Sequence, residues 1–372
     1  MNEVAPRRVK VSGLRNRLAA SRRFQRWASK FPLTRRKTRT EGEQIFDIVS
    51  GFVYSQVLLA LVELDILADV AARPMTPEAL GDKHDIDPKR MKILLHAGVS
   101  VGLLKLKKKG YGLSQRGAAL LGVPGLEALI RHHSYFYRDL QDPVALLRGK
   151  VETELSEFWP YVFEGPDALP EGTAETYTNL MADSQALIAE DTLRFVSLKN
   201  VKRLMDIGGG SGAFLAAVGR AYPSLNMVLF DLPAVTAHAR DHLEPAGLWG
   251  RTEVIPGSFR QNDLPEGADA ISLVRVLYDH EDSTVQSLLA DVYAVLPPGG
   301  RLIISEPMSG GDTPLRSTDA YFALYCMAMQ TGQVRSSDRI AEFCEKAGFV
   351  NIRKPKPFRP YVTRVVTAVK PI

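Results

Sequence analysis

The 372-residue sequence predicts an α/β fold, a mostly parallel sheet with an antiparallel edge strand, preceded by an α-rich unit. Three observations carry this. After Asn200, short apolar runs of strand type alternate with helix-type runs, the order of a parallel sheet. Before that, apolar residues recur at helical spacing behind N-cap signals, with one short hairpin. The chain closes on an alternating run at residues 361–369, which reads as the edge strand.

The first 42 residues form a basic arm. Lysines and arginines crowd positions 7–39, and Glu3 is the only acid before Thr40. The chain's net +5 therefore belongs to the arm, and the remainder is mildly acidic. Leu14, Leu18, Phe24, Trp27 and Phe31 recur at loosely helical intervals among the arginines. A basic helix with aromatics on its other face suits an anionic membrane surface. A solvated arm and an arm packed on a partner subunit remain open at this level.

Residues 43–125 read as a small helical unit. A long apolar-rich helix covers the forties and fifties. Thr76-Pro77 and Asp87-Pro88 each place an N-cap before a first-turn proline. Leu103-Leu104-Lys105-Leu106 and Tyr111-Gly112-Leu113-Ser114 then make a hairpin. Helices followed by a hairpin are a winged-helix plan. The second of its capped helices carries only Lys89, Arg90 and Lys92, and lysines at a hairpin tip blunt a sheet edge. Dimerisation is therefore expected here and no nucleic acid.

Residues 126–198 are helical and aromatic, with runs at 132–137 and 158–163, and are expected to connect the units and roof a pocket. His132 and His133 lack a third ligand at helical spacing, so no metal is expected. Residues 199–372 form the α/β domain, with strands at 203–207, 227–230, 252–256, 270–274 and 301–305.

The first of these strands carries the chemistry. Leu204-Met205-Asp206-Ile207 runs into Gly208-Gly209-Gly210-Ser211-Gly212, and a helix starts at Ala213. About twenty residues on, Asp231 ends the second strand, placed to hold a ribose diol. Gly208-x-Gly210-x-x-Ala213 also satisfies the dinucleotide fingerprint. The sign of charge separates the two readings. A pyrophosphate prefers a helix N-terminus free of carboxylates, whereas Asp206 puts an acid at this loop. An ammonium-and-sulfonium cofactor, S-adenosylmethionine, fits better.

The remaining composition is that of a soluble globular chain, 45% hydrophobic and 24% charged. No uninterrupted apolar run approaches the ~18–20 residues of a membrane span. No signal peptide is recognisable. The only cysteines, Cys326 and Cys344, sit in apolar helical text without metal-type spacing. A cytoplasmic location, with peripheral contact at the (intra)cytoplasmic membrane through the arm, is the expectation.

These residues resemble the S-adenosylmethionine-dependent small-molecule O-methyltransferases of plants and bacteria, from about residue 43 onward. The resemblance rests on an ordered set: the glycine loop from Asp206, Phe230-Asp231-Leu232-Pro233, Pro256-Gly257-Ser258-Phe259, Leu296-Pro297-Pro298-Gly299-Gly300-Arg301 and Glu345-Lys346-Ala347-Gly348-Phe349. It implies a Rossmann-like class I methyltransferase domain behind a winged-helix dimerisation domain, and a homodimer. It implies a cofactor site built from Asp206, Gly208, Gly209, Gly210, Asp231, Leu232, Ser258, Phe259 and Arg275. Ser258 stands where the family usually has aspartate. The family's catalytic His-Asp-Trp reads Tyr278-Asp279-His280, and a late supporting glutamate falls at Val334, leaving Glu306.

The segment 273–280, with 21–27 and 52–59, looks like one branch, the hydroxyneurosporene/demethylspheroidene O-methyltransferases of purple-bacterial carotenoid biosynthesis. That resemblance implies a C1-hydroxylated acyclic carotenoid as acceptor. Tyrosine, with a reference pKa of ~10, is a poor base at neutral pH and histidine a better one. His280 is therefore expected to act as general base, Tyr278 to orient the substrate hydroxyl, and Glu306 to assist. The stripe Tyr321, Phe322, Leu324, Tyr325, Met327 and Met329 suits either pocket or core. A bacteriochlorophyll-pathway tetrapyrrole or a phenolic acceptor, a non-catalytic DNA-binding regulator, and an NAD oxidoreductase are the rival readings.

Overall fold

The computed structural model describes residues 10–158 and 185–372. It divides into two compact units, Met1–Ala118 and Ala119–Ile372. The first holds α1 (Leu14–Ala19), α2 (Arg22–Lys30), α3 (Arg35–Glu63), α4 (Pro77–His84) and α5 (Pro88–Ser100), besides shorter turns of helix. The anticipated caps form: Thr76 Oγ1 accepts from Ala79 N at 3.3 Å, and Asp87 Oδ1 from Lys89 N at 2.9 Å. Each satisfies an orphan first-turn donor, worth about 1 kcal/mol. The hairpin pairs β1 (Leu104–Lys107) with β2 (Gly110–Leu113) in antiparallel register.

The helix α3 departs from expectation in two ways. It starts eight residues before Glu43, and it is long and apolar enough by length and composition to cross a membrane. Asp47, Ser50, Ser55 and Gln56 interrupt its sequence, which is why no continuous apolar run is visible. Ile45, Phe46, Ile48, Val49 and Phe52 are all exposed on it. A row this apolar on one helix calls for a cover.

The second unit is a seven-stranded sheet. Its strands are β3 (Arg203–Ile207), β4 (Asn226–Asp231), β5 (Thr252–Pro256), β6 (Ala270–Val274), β7 (Arg301–Glu306), β8 (Val350–Arg353) and β9 (Arg364–Val369), in spatial order β5-β4-β3-β6-β7-β9-β8. The first five are parallel and β9 is antiparallel to both neighbours. Every residue of β6 is buried, as expected for a central strand covered on both faces. One face packs Leu288, Leu289, Val292, Ile340 and Phe343, and the other Phe214, Leu215, Val218 and Leu243.

The closing run is therefore not the edge strand. It lies one position in, and the edge is β8, whose four residues Val-Asn-Ile-Arg give too short a pattern to read. The chain reverses its order of strand addition between β3 and β6. At that switch point the carboxyl ends of neighbouring strands diverge and leave a crevice, the standard ligand position in such sheets.

Candidate active site

The crevice opens onto a cleft of about 1000 Å³, counting its solvent-filled mouth. Gly208 to Ser211, Asp231, Leu232, Ser258, Phe259, Arg275, Tyr278, Asp279 and His280 line it, so nearly all the anticipated site residues converge. Gly208 and Gly210 have φ of 66° and 62°, which glycine adopts without strain. A Cβ on Gly209 would lie 2.5 Å from Leu229 and 2.6 Å from Asp206 Oδ2, so the loop can be pinned to the strands only by glycine.

Asp231 ties the loop to its own strand end. Its Oδ2 accepts from Gly210 N at 2.7 Å and its Oδ1 from Leu232 N at 2.7 Å. Burial pushes this carboxyl up to about 6, while the two N–H donors pull it back down. Asp206 corrects the reading that it stands at the mouth of the loop. It is fully buried and has no surface on the cleft. Its Oδ1 accepts from Ser272 Oγ at 2.5 Å, and burial, helped by the neighbouring Asp231, raises it to about 7.

On the facing wall Phe259 meets His280 edge-to-face, centroids 5.2 Å apart. Arg260 Nη2 donates to His280 Nδ1 at 2.9 Å. A guanidinium can only donate, so Nδ1 accepts and the ring proton sits on Nε2. Such a ring has no lone pair for a substrate proton. Burial and the cations Arg260 and Arg335 also lower it to about 3. The geometry thus opposes the expectation that His280 is the general base and makes it a neutral wall.

Tyr278 is buried, and its hydroxyl accepts from Arg275 Nη2 at 3.4 Å. Burial raises its phenol well above the ordinary range, so it stays protonated. Arg275 holds φ 60°, a left-handed geometry unusual for a side chain of its size, and its N–H donates to Ser305 O at 2.8 Å.

A two-sided clamp holds the turn Leu277–Asp279. Glu306 Oε2, at the tip of β7, accepts from Leu277 N at 3.0 Å and Tyr278 N at 3.2 Å. Arg335 is 3% exposed and donates to Leu277 O at 2.8 Å, His280 O at 2.7 Å and Asp282 Oδ1 at 2.8 Å. Gln333 N reaches Tyr278 O at 2.9 Å, and a Cβ on Gly332 would lie 2.1 Å from that same oxygen. Glu306 does not line the cleft. It acts on the turn's backbone and raises no claim to touch a substrate. Arg335 was missed by sequence reasoning, which looked for an acid at Val334; a lone arginine gives no sign of its burial.

The aromatic stripe is partly core. Tyr325 packs with Phe136, Leu146, Leu155, Ala328 and Met329. Two tyrosines also carry hydroxyls into hydrogen bonds with histidines, Tyr325 to His132 at 2.7 Å and Tyr321 to His133 at 2.6 Å. Phe322 lies edge-on to Tyr278 at 6.4 Å, which puts the stripe beside the catalytic turn. The aromatic run at 159–163 lies outside the described residues.

Residues 137–350 match the O-methyltransferase domain model and residues 46–122 the O-methyltransferase dimerisation domain. The chain belongs to the O-methyltransferase family. The enzyme is 55% identical over 363 residues to demethylspheroidene O-methyltransferase of Cereibacter sphaeroides, covering 97% of this chain and 96% of that one. It is 51% identical to the protein of that name from Rhodobacter capsulatus, covering 95% of this chain and 88% of the other. Human N-acetylserotonin methyltransferase, solved with S-adenosylmethionine, superposes with a TM-score of 0.77 at 24% identity, over 89% of this chain and 98% of that chain. S-adenosylmethionine is the methyl donor of this enzyme class, and its first unit is a dimerisation domain.

The cleft suits that donor. Gln185 Oε1 and Ser211 Oγ are buried atoms of lining residues and have no hydrogen-bond partner among the described residues. Buried polar atoms rarely stay unpaired, and an acceptor-rich wall matches an ammonium, a sulfonium and a ribose diol. No cluster of potential metal ligands occurs among the described residues.

Proposed function

We propose that the enzyme methylates the C1 tertiary hydroxyl of acyclic carotenoids of the hydroxyneurosporene/demethylspheroidene type. The observation that carries this is identity above half, over nearly the whole chain, to two proteins named for that acceptor. The break from His-Asp-Trp to Tyr278-Asp279-His280 supports it, because an aliphatic tertiary alcohol makes different demands from a phenol.

In this reading Asp231 and Leu232 hold the ribose, the Gly208–Gly210 loop carries the amino-acid end, and Ser258, Phe259 and His280 wall the adenine. Bound there, S-adenosylmethionine supplies an electrophilic methyl on a cationic sulfur. Tyr278, kept protonated, orients the acceptor hydroxyl. Arg275 fixes Tyr278, and Glu306 with Arg335 fixes the turn that carries it. Alignment of this kind converts a bimolecular step into an effectively unimolecular one. Turnover of purified enzyme on a panel of hydroxylated carotenoids, phenolics and chlorins tests the assignment. A C1-hydroxylated acyclic carotenoid is expected to give the highest kcat/KM, and preference for a phenol or chlorin would overturn it.

The exposed face of α3 is assigned to the partner subunit of a homodimer, since the dimerisation match spans most of it. The arm is assigned to an anionic membrane surface at which a lipid-soluble polyene is met, which places the enzyme in the cytoplasm as a peripheral protein. On α2, Trp27 stacks on Phe31 at 4.9 Å and lies 5.6 Å from Phe24, with Trp27 half exposed. Arg22, Arg23 and Arg26 are exposed on the same helix. At about 1 kcal/mol per basic residue, each Arg→Gln change should weaken partition to anionic vesicles about fivefold. Co-sedimentation insensitive to salt and to all three changes would remove the membrane assignment.

A further inference from the structure

The reaction needs a proton acceptor, and the three catalytic candidates of the sequence, His280, Tyr278 and Glu306, are unsuited to that role. A tertiary alcohol cannot ionise in advance, so its proton must leave as the new bond forms. His280 has its Nδ1 lone pair committed to Arg260. Tyr278 holds its own proton and takes a hydrogen bond from Arg275. Glu306 spends Oε2 on two backbone N–H groups, and although its Oε1 is also buried and unpaired among the described residues, it has no surface on the cleft.

Asp279 differs from all three. It lines the cleft between Tyr278 and His280. Its backbone is fixed, with the carbonyl accepting from Thr331 Oγ1 at 2.7 Å and Gly332 packed against it. Its Oδ1 is shut off from solvent and has no hydrogen-bond partner among the described residues. A cleft-lining residue with one carboxylate oxygen held dry and unpaired is short of one hydrogen. We propose that Asp279 is the general base of this enzyme, in place of the histidine that the family pattern puts one position earlier.

The inference rests on reading the cleft as a methyl-donor site for an alcohol. In the step, the acceptor's hydroxyl oxygen forms a bond to the sulfonium methyl carbon. The carbon–sulfur bond breaks with its electron pair staying on sulfur, which leaves S-adenosylhomocysteine. The hydroxyl proton passes to the Asp279 carboxylate, and the ether product is neutral. The groups facing Asp279 are Arg275, which favours its charged form, Tyr278, whose side chain hydrogen-bonds the carboxyl and favours that form too, Glu306, which opposes it, and Cys326. Burial is the largest influence and raises the carboxyl to about 8, close to working pH, where a general base is most effective. The acting form is the deprotonated one, so kcat must rise with pH through this ionisation and then level. A bound sulfonium adds positive charge nearby and moves that rise to lower pH.

Asp279→Asn keeps the shape and removes the base. It is expected to lower kcat about 100-fold or more, in the range of general base catalysis, while S-adenosylhomocysteine affinity by calorimetry changes little. The rising limb of the pH profile should vanish with it, and Asp279→Glu should restore part of both rate and limb. An independent readout is the number of protons released when S-adenosylmethionine binds, measured calorimetrically in buffers of different ionisation heat. Release should exceed that seen with the uncharged-sulfur S-adenosylhomocysteine, and the excess should be lost in Asp279→Asn. An Asp279→Asn enzyme with near-normal kcat, or one that keeps the pH limb and the proton release, overturns the proposal. Should Asp279→Asn fail to fold, a wild-type enzyme showing no excess release overturns it equally. Inactivity of the wild type on every carotenoid alcohol would instead count against the acceptor assignment.

Discussion

Arg335→Met is expected to destabilise the enzyme by about 3–5 kcal/mol, the usual effect of removing one partner from a buried charge network. Arg335 is almost wholly buried, joins the carbonyls of Leu277 and His280, and ends on Asp282. It is also the cation that draws Glu306 back toward ionisation, against a burial effect that raises that carboxyl to about 7. Without Arg335, Glu306 moves further up and takes a proton, and its two N–H contacts weaken from charge-assisted to ordinary. The turn carrying Tyr278 and Asp279 then loses both sides of its clamp. A displacement near 1 Å in a catalytic turn costs about 100-fold in rate. Thermal unfolding and a kcat-against-KM split check this: kcat should fall by a larger factor than KM for the donor rises, because the glycine loop and Asp231 are untouched and only the His280 wall is released. An unfolding free energy within about 1 kcal/mol of wild type would show that the clamp is not a structural determinant.

Asp231→Ala should strike the other half of the reaction. The carboxylate holds Gly210 N and Leu232 N, and the proposed function sets it against the ribose diol. Hydrogen bonds to a charged group are worth about 1.5–3 kcal/mol each, so the loss should be at least about 3 kcal/mol, roughly a hundredfold in donor affinity. Calorimetry with S-adenosylhomocysteine reads this directly. The protein should stay folded, since the change removes a carboxyl that burial already disfavours as an ion. A loss of less than about tenfold, near 1.4 kcal/mol, would move the ribose elsewhere.

These two variants separate what the residues declare from what only the fold reveals. The donor half was readable because its chemistry is local: a strand, a run of glycines and an acid on the next strand lie within about thirty residues. The five parallel strands were readable for a similar reason, since each is an apolar run set off by helical text. The edge was misplaced because β8 is four residues long with only two apolar positions. The start of α3 was misplaced because residues 35–42 are basic and polar and read as part of the arm, although the helix already runs through them.

The acceptor half was harder. Chemistry nominated His280 as the better base, a sound preference for a free imidazole, and only the structure places Arg260 on its Nδ1. That contact joins residues twenty apart, from the segments after two different strands, and no spacing rule reports it. The clamp is subtler still. Glu306 and Arg335 act on backbone N–H and carbonyl groups of residues near 278, so their partners carry no side-chain signature in the sequence.

Following the methyl itself shows whether the cleft passes it from the donor to a tertiary alcohol. Purified enzyme is incubated with methyl-labelled S-adenosylmethionine and a C1-hydroxylated acyclic carotenoid carried in anionic lipid, and the label is traced by mass spectrometry. One labelled methyl per product molecule is expected, held as an ether at the tertiary oxygen. Bound donor with no label on the carotenoid, or label on carbon rather than oxygen, would contradict it.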